Sequence, residues 1–257
     1  KQQWILYEQL GDFILLNNFQ EIEVVTRILW NWAISLPKPI LLNPAVWRYI
    51  RDHWSHSVQT QRNLAAVVGN LINTACSNHR EIVKAVEQQD WMVPALFANL
   101  ETYDADTRRR SMRTLRCLAS NTYFGQEFLW NNAPKNCIQR LLPTDSDLGT
   151  RILACQTVKS LLPLVTRKEA VAILPTLETT FIYGIEGTES EKFVLVACQL
   201  LTALMRFSPW KRSASLFTVV FLDQLLAVLH EQLDQVNYHV AISELLLELI
   251  KIQNMGM

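Results

Sequence analysis

The sequence predicts an all-α solenoid of three-helix repeats, and two observations lead to that prediction. Polar breaks near positions 104, 145, 188 and 233 recur at a nearly constant spacing. An apolar helical motif recurs every 43 to 47 residues, although its residues differ from those of the breaks. One such unit cannot bury its own apolar face, so stacked copies must share a core. The copies of the motif span 64–72, 111–119, 154–162, 197–205 and 241–249.

Start and stop signals define the helices around these copies. Pro37 and Pro39 end the first helical stretch, whereas Asn43 and Pro44 restart it as a cap and a first-turn residue. Thr166 to Glu169 and Thr188 to Glu191 have the pattern of capping boxes. In chain order we expect helices over about 4–16, 19–35, 44–56, 58–77, a short segment ending at 89, 92–100, 106–120, 121–130, 136–142, 148–164, a segment from 166 that Pro175 interrupts, 191–207, 216–231 and 235–253.

Composition limits the function classes. The 257 residues are 49% hydrophobic, which is enough for a packed core, and the formal net charge is zero. A neutral chain exerts no global attraction on nucleic acid or anionic membrane. The five cysteines form no CxxC pair and stand mostly among apolar residues, so we expect reduced, buried thiols. The expected location is intracellular: cytoplasmic, with the nucleus as an alternative.

The motif also resembles a known family. Gly69-Asn70-Leu71-Ile72 and the segment 115–121 resemble the third helix of armadillo repeats, and the period lies in the armadillo and HEAT range. The resemblance implies a right-handed superhelix whose third helices line a concave groove for a partner segment. The family carries an asparagine at one position of successive third helices, and these asparagines form a ladder along the groove. Here that ladder position holds Asn70 in one repeat but Cys117, Ser160 and Ala203 in the repeats that follow. We therefore do not expect importin-like binding of a basic peptide.

Alignment of the repeats with the third helix of the armadillo family predicts which residues face the groove and which face the core. Expected in the core are Leu115, Leu118, Val158, Leu161, Leu201 and Leu204. The predicted partner-binding residues are Arg27, Asn31, Asn63, Asn70, Arg109, Arg110, Arg113, Arg116, Gln156 and Gln199.

The strongest local signal is a cluster of arginines. Arg109, Arg113 and Arg116 share one side of a helix, close to its start, where the helix dipole disfavours cations. One interpretation is a site for an acidic or phosphorylated peptide, because guanidinium groups form paired hydrogen bonds with carboxylates and phosphates. The alternative is a solvated face, or ion pairs with neighbouring repeats.

Two further features have a structural and a functional interpretation. Trp4, Trp30, Trp32, Trp47 and Trp54 concentrate near the N-terminal end, where gap filling is favoured over an interface. In the last helix, Leu247 stands at the ladder position, which suggests either an ordinary apolar stripe or a docking surface.

Together these signals predict one armadillo-like domain over 1–257, with about five to six repeats, cut from a longer protein. We expect a non-catalytic scaffold that holds a protein or peptide partner in its groove. The alternative is an assembly module that uses its ends or convex face to bind other domains or another copy of itself. No motif for a catalytic site, cofactor or metal is recognisable in the sequence.

Overall fold

A computed structural model describes residues 22–35, 43–76, 80–122, 124–141, 145–166, 168–169, 191–207, 222–223, 225–227, 230 and 236–255. Its regular elements within these ranges are helices. They are α1 Ile22–Ser35, α2 Pro44–Asp52, α3 Val58–Ala75, α4 Arg80–Glu87, α5 Met92–Asn99, α6 Ala105–Ser120, α7 Gly125–Asn132, α8 Cys137–Arg140, α9 Leu148–Leu161, a 3-10 turn Leu162–Leu164, α10 Glu191–Phe207 and α11 Val236–Met255.

The predicted helices are confirmed wherever these ranges cover them, with differences at their ends. The helix predicted over 121–130 begins at Gly125 instead. The cause is Asn121, whose side-chain oxygen accepts a hydrogen bond from the amide of Phe124 at 3.2 Å and ends the preceding helix. The predictions over 4–16 and of the Thr188 capping box lie outside the described residues, as do most of those over 166–175 and 216–231.

The polar breaks act as helix starts. Asp104 accepts a hydrogen bond from the amide of Thr107 at 2.9 Å and caps α6. Asp147 caps α9 in the same way through the amide of Thr150 at 2.7 Å. The predicted Thr166 capping box is also confirmed, because the carboxylate of Glu169 accepts from the Thr166 amide at 2.9 Å.

The chain divides into two compact units, Lys1–Lys135 and Asn136–Met257. In the first, α3 packs between α1 and α6, and the short helices α5 and α7 cover α6. In the second, α10 packs between α9 and α11. The long helices therefore stack on one another within each unit, as the repeat pattern predicts. A single domain over 1–257 stays a prediction.

The cores form at the predicted positions. Each of the six leucine and valine residues assigned to the core from the register is buried: Leu115, Leu118, Val158, Leu161, Leu201 and Leu204. The side chains that α3 buries include Leu64, Val68 and Leu71. Burying a large apolar side chain contributes about 1.5 to 3 kcal/mol, so these layers supply most of the stability of a repeat.

A buried polar connection joins the repeats of the first unit. The side-chain oxygen of Asn99, at the end of α5, accepts hydrogen bonds from Trp54 at 3.2 Å and Gln61 at 2.7 Å. Its amide nitrogen donates to the hydroxyl of Ser111 at 2.9 Å. Trp54 also packs edge-on against Trp91, with ring centroids 5.6 Å apart. The predicted gap-filling role is thus confirmed for Trp54, and Trp47 is buried too.

Candidate functional site

The candidate site is a groove of about 860 Å³ in the first unit, between α1, α3 and α6. Pockets of about 300 to 1,000 Å³ are typical of ligand sites. The residues that line it are Trp30, Ile34, Ala65, Ala66, Gly69, Asn70, Asn73, Asp106, Arg109, Arg110, Arg113, Arg116, Cys117 and Ser120.

Small residues on α3 face long cationic residues on α6. In the repeat register, Ala66 corresponds to Arg113 and Gly69 to Arg116, each pair being 47 positions apart. The α3 wall of the groove therefore includes small side chains, and the α6 wall is basic.

Gly69 sets how closely α3 and α6 approach. A Cβ atom at this position would lie 2.9 Å from the side-chain oxygen of Thr114 on α6. That separation is shorter than van der Waals contact, so a larger residue would either rotate the Thr114 hydroxyl out of its hydrogen bond with the Arg110 carbonyl or move the two helices apart. Glycine is needed here because of the neighbouring helix.

Asp104 positions the start of α6 and holds it against α3. Its carboxylate accepts two hydrogen bonds from Arg62 of α3, at 3.1 and 2.6 Å. The bonds from Arg62 and Thr107 lower the pKa of Asp104 to about 2, although burial acts in the opposite direction. The negative charge of Asp104 is therefore balanced by Arg62, which is not one of the arginines that line the groove.

Arg108 and Arg110 of the arginine run contact the segments next to α6. Arg108 donates to the backbone carbonyls of Thr102 and Tyr103, both at 2.8 Å, and so braces the turn before α6. Arg110 places its guanidinium 4.6 Å from the ring centroid of Trp30 on α1. This cation–π contact orients Arg110 across the groove. Burial lowers the pKa of Arg110, but arginine stays charged in proteins.

Arg113 and Arg116 are exposed on the groove wall. Among the described residues, neither forms an ion pair with a carboxylate. Among the described residues that line the groove, Asp106 is the acidic one, and it lies 4.0 Å from Arg62. In the described part of the chain, the lining residues include four arginines and one weakly paired carboxylate, which gives this surface a positive potential although the net charge of the chain is zero.

Five of the predicted binding residues lie together in this groove: Asn70, Arg109, Arg110, Arg113 and Arg116. The placement of Asn63 in the groove was wrong, because this side chain is only 2% exposed. It accepts a hydrogen bond from Gln59 at 2.9 Å and donates to Thr26 at 3.2 Å, joining α3 to α1. Arg27 and Asn31 are exposed on α1 but are not among the lining residues.

Gln156 and Gln199 belong to the second unit, on α9 and α10. Gln156 is partly buried, and Gln199 is exposed and accepts a hydrogen bond from Lys159 at 3.3 Å. Their role in partner binding stays a prediction.

Sequence reasoning missed three lining residues that share one register. Trp30, Asn73 and Ser120 stand three positions after Arg27, Asn70 and Cys117, which is one helical turn beyond the ladder position. Extending the ladder by one turn would have found them. The ring of Trp30 is partly buried and forms part of the groove wall, so gap filling by this residue stays a prediction.

The expectation of buried cysteines holds for Cys137, Cys155 and Cys198 but is wrong for two others. Cys76 and Cys117 are half-buried, and their sulfur atoms lie 3.6 Å apart. Burial raises the pKa of Cys155 and of Cys198 to about 12 each, which is typical of unreactive thiols.

Among the described residues there is no cluster of three or more metal-ligating side chains.

Comparison with solved structures identifies the architecture. Computationally designed armadillo repeat proteins for modular peptide recognition align over 93% of this chain and 98% of theirs, with a TM-score of 0.69 and 11% identity. The fold is armadillo-like. A designed armadillo protein in complex with the peptide (KR)4 aligns over 94% of this chain and 98% of its own, with a TM-score of 0.65 and 12% identity.

Sequence comparison alone gives no relative: neither a protein-family model nor a curated protein matches the chain. The identities of 11 to 12% therefore establish an all-α armadillo-like solenoid fold and nothing finer. As to membranes, none of the described helices combines the length and apolar character that a membrane span requires.

The Asp104 contact predicts a pH-dependent contribution to stability. We expect Asp104→Asn to retain the cap but to lower the free energy of unfolding at neutral pH by about 1 to 2 kcal/mol, since the bonds to Arg62 lose their charge. Because the folded pKa lies below the unfolded one, this contribution is present above about pH 4 and disappears as the pH falls toward 2.

Urea unfolding across this pH range measures the effect. The matched control is Asp52→Asn, since Asp52 pairs with Arg51 on an exposed surface at 3.1 Å and should contribute less than about 0.5 kcal/mol. Equal losses for the two variants at neutral pH would contradict the structural role of Asp104.

Proposed function

We propose that the chain is a non-catalytic interaction scaffold that binds an acidic or phosphorylated partner segment in the groove between α1, α3 and α6. The observation that carries this proposal is the set of four arginines on one groove wall, with one carboxylate beside them among the lining residues that the structure describes. An anionic segment would replace repulsion among the guanidinium groups with charge-assisted hydrogen bonds.

The groove offers three kinds of contact to such a segment. Arg113 and Arg116 can form paired hydrogen bonds with carboxylate or phosphate oxygens. Asn70 and Asn73 line the opposite wall and can bond to backbone amides or carbonyls of an extended chain. Trp30 presents an aromatic surface that could pack against an apolar side chain of the partner.

The designed armadillo proteins support the fold on which this proposal depends. The peptide bound by one of them differs in charge from the partner proposed here. One of them is in complex with a peptide of alternating lysine and arginine. In the present chain, the groove itself carries the cations, and Asn70 is followed by Cys117 at the next ladder position. A partner of the opposite sign therefore fits this groove, since like charges facing each other oppose binding.

Charge reversal tests the proposal. We expect the chain to bind a labelled Glu/Asp-rich or phosphoserine peptide, and the triple variant Arg109→Glu, Arg113→Glu, Arg116→Glu to bind it at least about tenfold more weakly, because attraction becomes repulsion. Fluorescence anisotropy gives the dissociation constants, and a (Lys-Arg) repeat peptide serves as the ligand of opposite charge. Added salt should weaken binding to the wild-type chain.

A matched variant separates local from global charge. Arg48→Glu, Lys84→Glu and Lys135→Glu together make the same change in net charge at exposed positions of the first unit that do not line the groove. The control should bind the acidic peptide with nearly unchanged affinity. Equal weakening of both triple variants would contradict a groove site, as would tighter binding of the basic peptide.

A second candidate function is assembly through the terminal helix, and an exposed apolar stripe favours it. Val236, Val240, Leu247 and Ile250 of α11 are 73%, 52%, 55% and 54% exposed. Their spacing of four, seven and three residues puts them on one helical face. Exposed apolar stripes of this kind are typical of docking surfaces.

Substitution in the stripe tests this candidate. If α11 mediates association with another copy, Leu247→Asp with Ile250→Asp should convert any concentration-dependent oligomer to monomer, since each charge opposes burial of the interface. Sedimentation velocity over a range of concentrations measures this, with Asn237→Asp as the control, because it adds a charge at an exposed position of α11 outside the stripe. A wild-type chain that stays monomeric throughout would rule out self-assembly through α11.

A further inference from the structure

Two thiols meet at the edge of the groove. Cys76 directly follows α3, and Cys117 lies on α6, 41 positions later. Their sulfur atoms are 3.6 Å apart, and the sulfur of Cys76 is also 3.7 Å from the backbone oxygen of Cys117. A disulfide has a sulfur–sulfur bond of about 2.05 Å, so closure needs a movement of only about 1.5 Å.

The surroundings of this pair differ from those of the remaining cysteines. Cys76 and Cys117 are half-buried, and Cys117 lines the groove, where a small solute can reach it. Cys137, Cys155 and Cys198 are buried. The three buried thiols therefore provide an internal reference for slow oxidation within the same chain.

The contacts of the pair assign different roles to its members. The hydrogen bond with Cys76 lowers the pKa of Cys117, and the nearby charge of Arg116 acts in the same direction, although burial opposes both. The same contact and burial raise the pKa of Cys76. Cys117 also lines the groove beside Arg116, so a solute reaches this thiol and a positive charge lies near its thiolate, which is the reactive form of cysteine.

We propose that Cys76 and Cys117 are a redox-active dithiol that reacts with hydrogen peroxide and closes to a disulfide between α3 and α6. The Cys117 thiolate attacks one peroxide oxygen, so that a sulfur–oxygen bond forms and the oxygen–oxygen bond breaks. The departing hydroxide takes a proton and leaves as water. Cys117 is then a sulfenic acid.

The second step uses Cys76. Its thiol loses a proton and attacks the Cys117 sulfur, so that the sulfur–sulfur bond forms, the sulfur–oxygen bond breaks and a second water leaves. The two thiols together give up two electrons, and hydrogen peroxide is reduced to two molecules of water. A dithiol reductant reverses the bond by thiol–disulfide exchange.

The disulfide would act on the packing of the two groove helices. It would tie the end of α3 to α6 covalently, next to the position where Arg116 and Cys117 line the groove. Cross-linking residues 41 positions apart restricts the unfolded chain, so the oxidised first unit should unfold at a higher temperature. The disulfide can form whichever partner the groove binds.

Peptide mapping of the whole chain tests this inference. The chain is treated with graded hydrogen peroxide, its remaining thiols are alkylated, and its peptides are identified by mass spectrometry without reduction. We expect a Cys76–Cys117 disulfide to form at least about tenfold faster than Cys137, Cys155 or Cys198 is oxidised, and to be reversed by dithiothreitol.

Two variants test the roles of the pair. In Cys76→Ser, the sulfenic acid of Cys117 should persist and be trapped by dimedone, whereas in Cys117→Ser the dose that labels Cys117 should leave Cys76 unlabelled. The inference is overturned if both thiols of the wild-type chain can still be alkylated at a peroxide dose that oxidises a buried cysteine, or if Cys117 reaches the sulfinic acid without forming the disulfide. The wild-type map decides this even if a variant fails to fold.

Discussion

The close approach of α3 and α6 is the constraint on which the groove depends. Gly69 allows it, because any side chain there would collide with Thr114 of the facing helix. Asp104 adds the second restraint by capping α6 and binding Arg62 of α3. The two contacts hold the arginine-bearing helix beside the groove-lining face of α3, which includes Ala66 and Gly69. As a result, a chain with zero net charge presents a concentrated positive surface in one place.

Much of the fold could be predicted from the sequence because apolar periodicity and helix caps are local signals. Residues such as Leu115 are buried where the repeat register places them, and the break at Asp104 begins a long helix as expected. The register also predicted the groove wall around Asn70 and Arg113, since equivalent positions of stacked helices face the same side. Which carboxylate neutralises which arginine could not be predicted, because Arg62 and Asp104 pair across two repeats.

The remaining differences have a common physical origin. The repeat register predicts which side of a helix a residue faces, but not which residue of another helix it contacts. Asn63 stands where the groove face meets the contact with α1, and Thr26 offers a partner that draws it inward. Trp30 lines the groove, where Arg110 stacks on its ring. The pairing of Cys76 with Cys117 crosses diagonally between helices, so their separation of 41 differs from the repeat spacing of 47 at this step. These contacts depend on side-chain rotamers and helix offsets.

The central claim is that the face shared by α3 and α6 is the binding surface, and hydrogen–deuterium exchange with and without the acidic peptide tests it most directly. Binding slows exchange where amides become protected or helix opening is suppressed. The account predicts slower exchange within Val58–Ala75 and Ala105–Ser120, and no change within Val236–Met255. Protection confined to Val236–Met255, or none at a saturating peptide concentration, would contradict it.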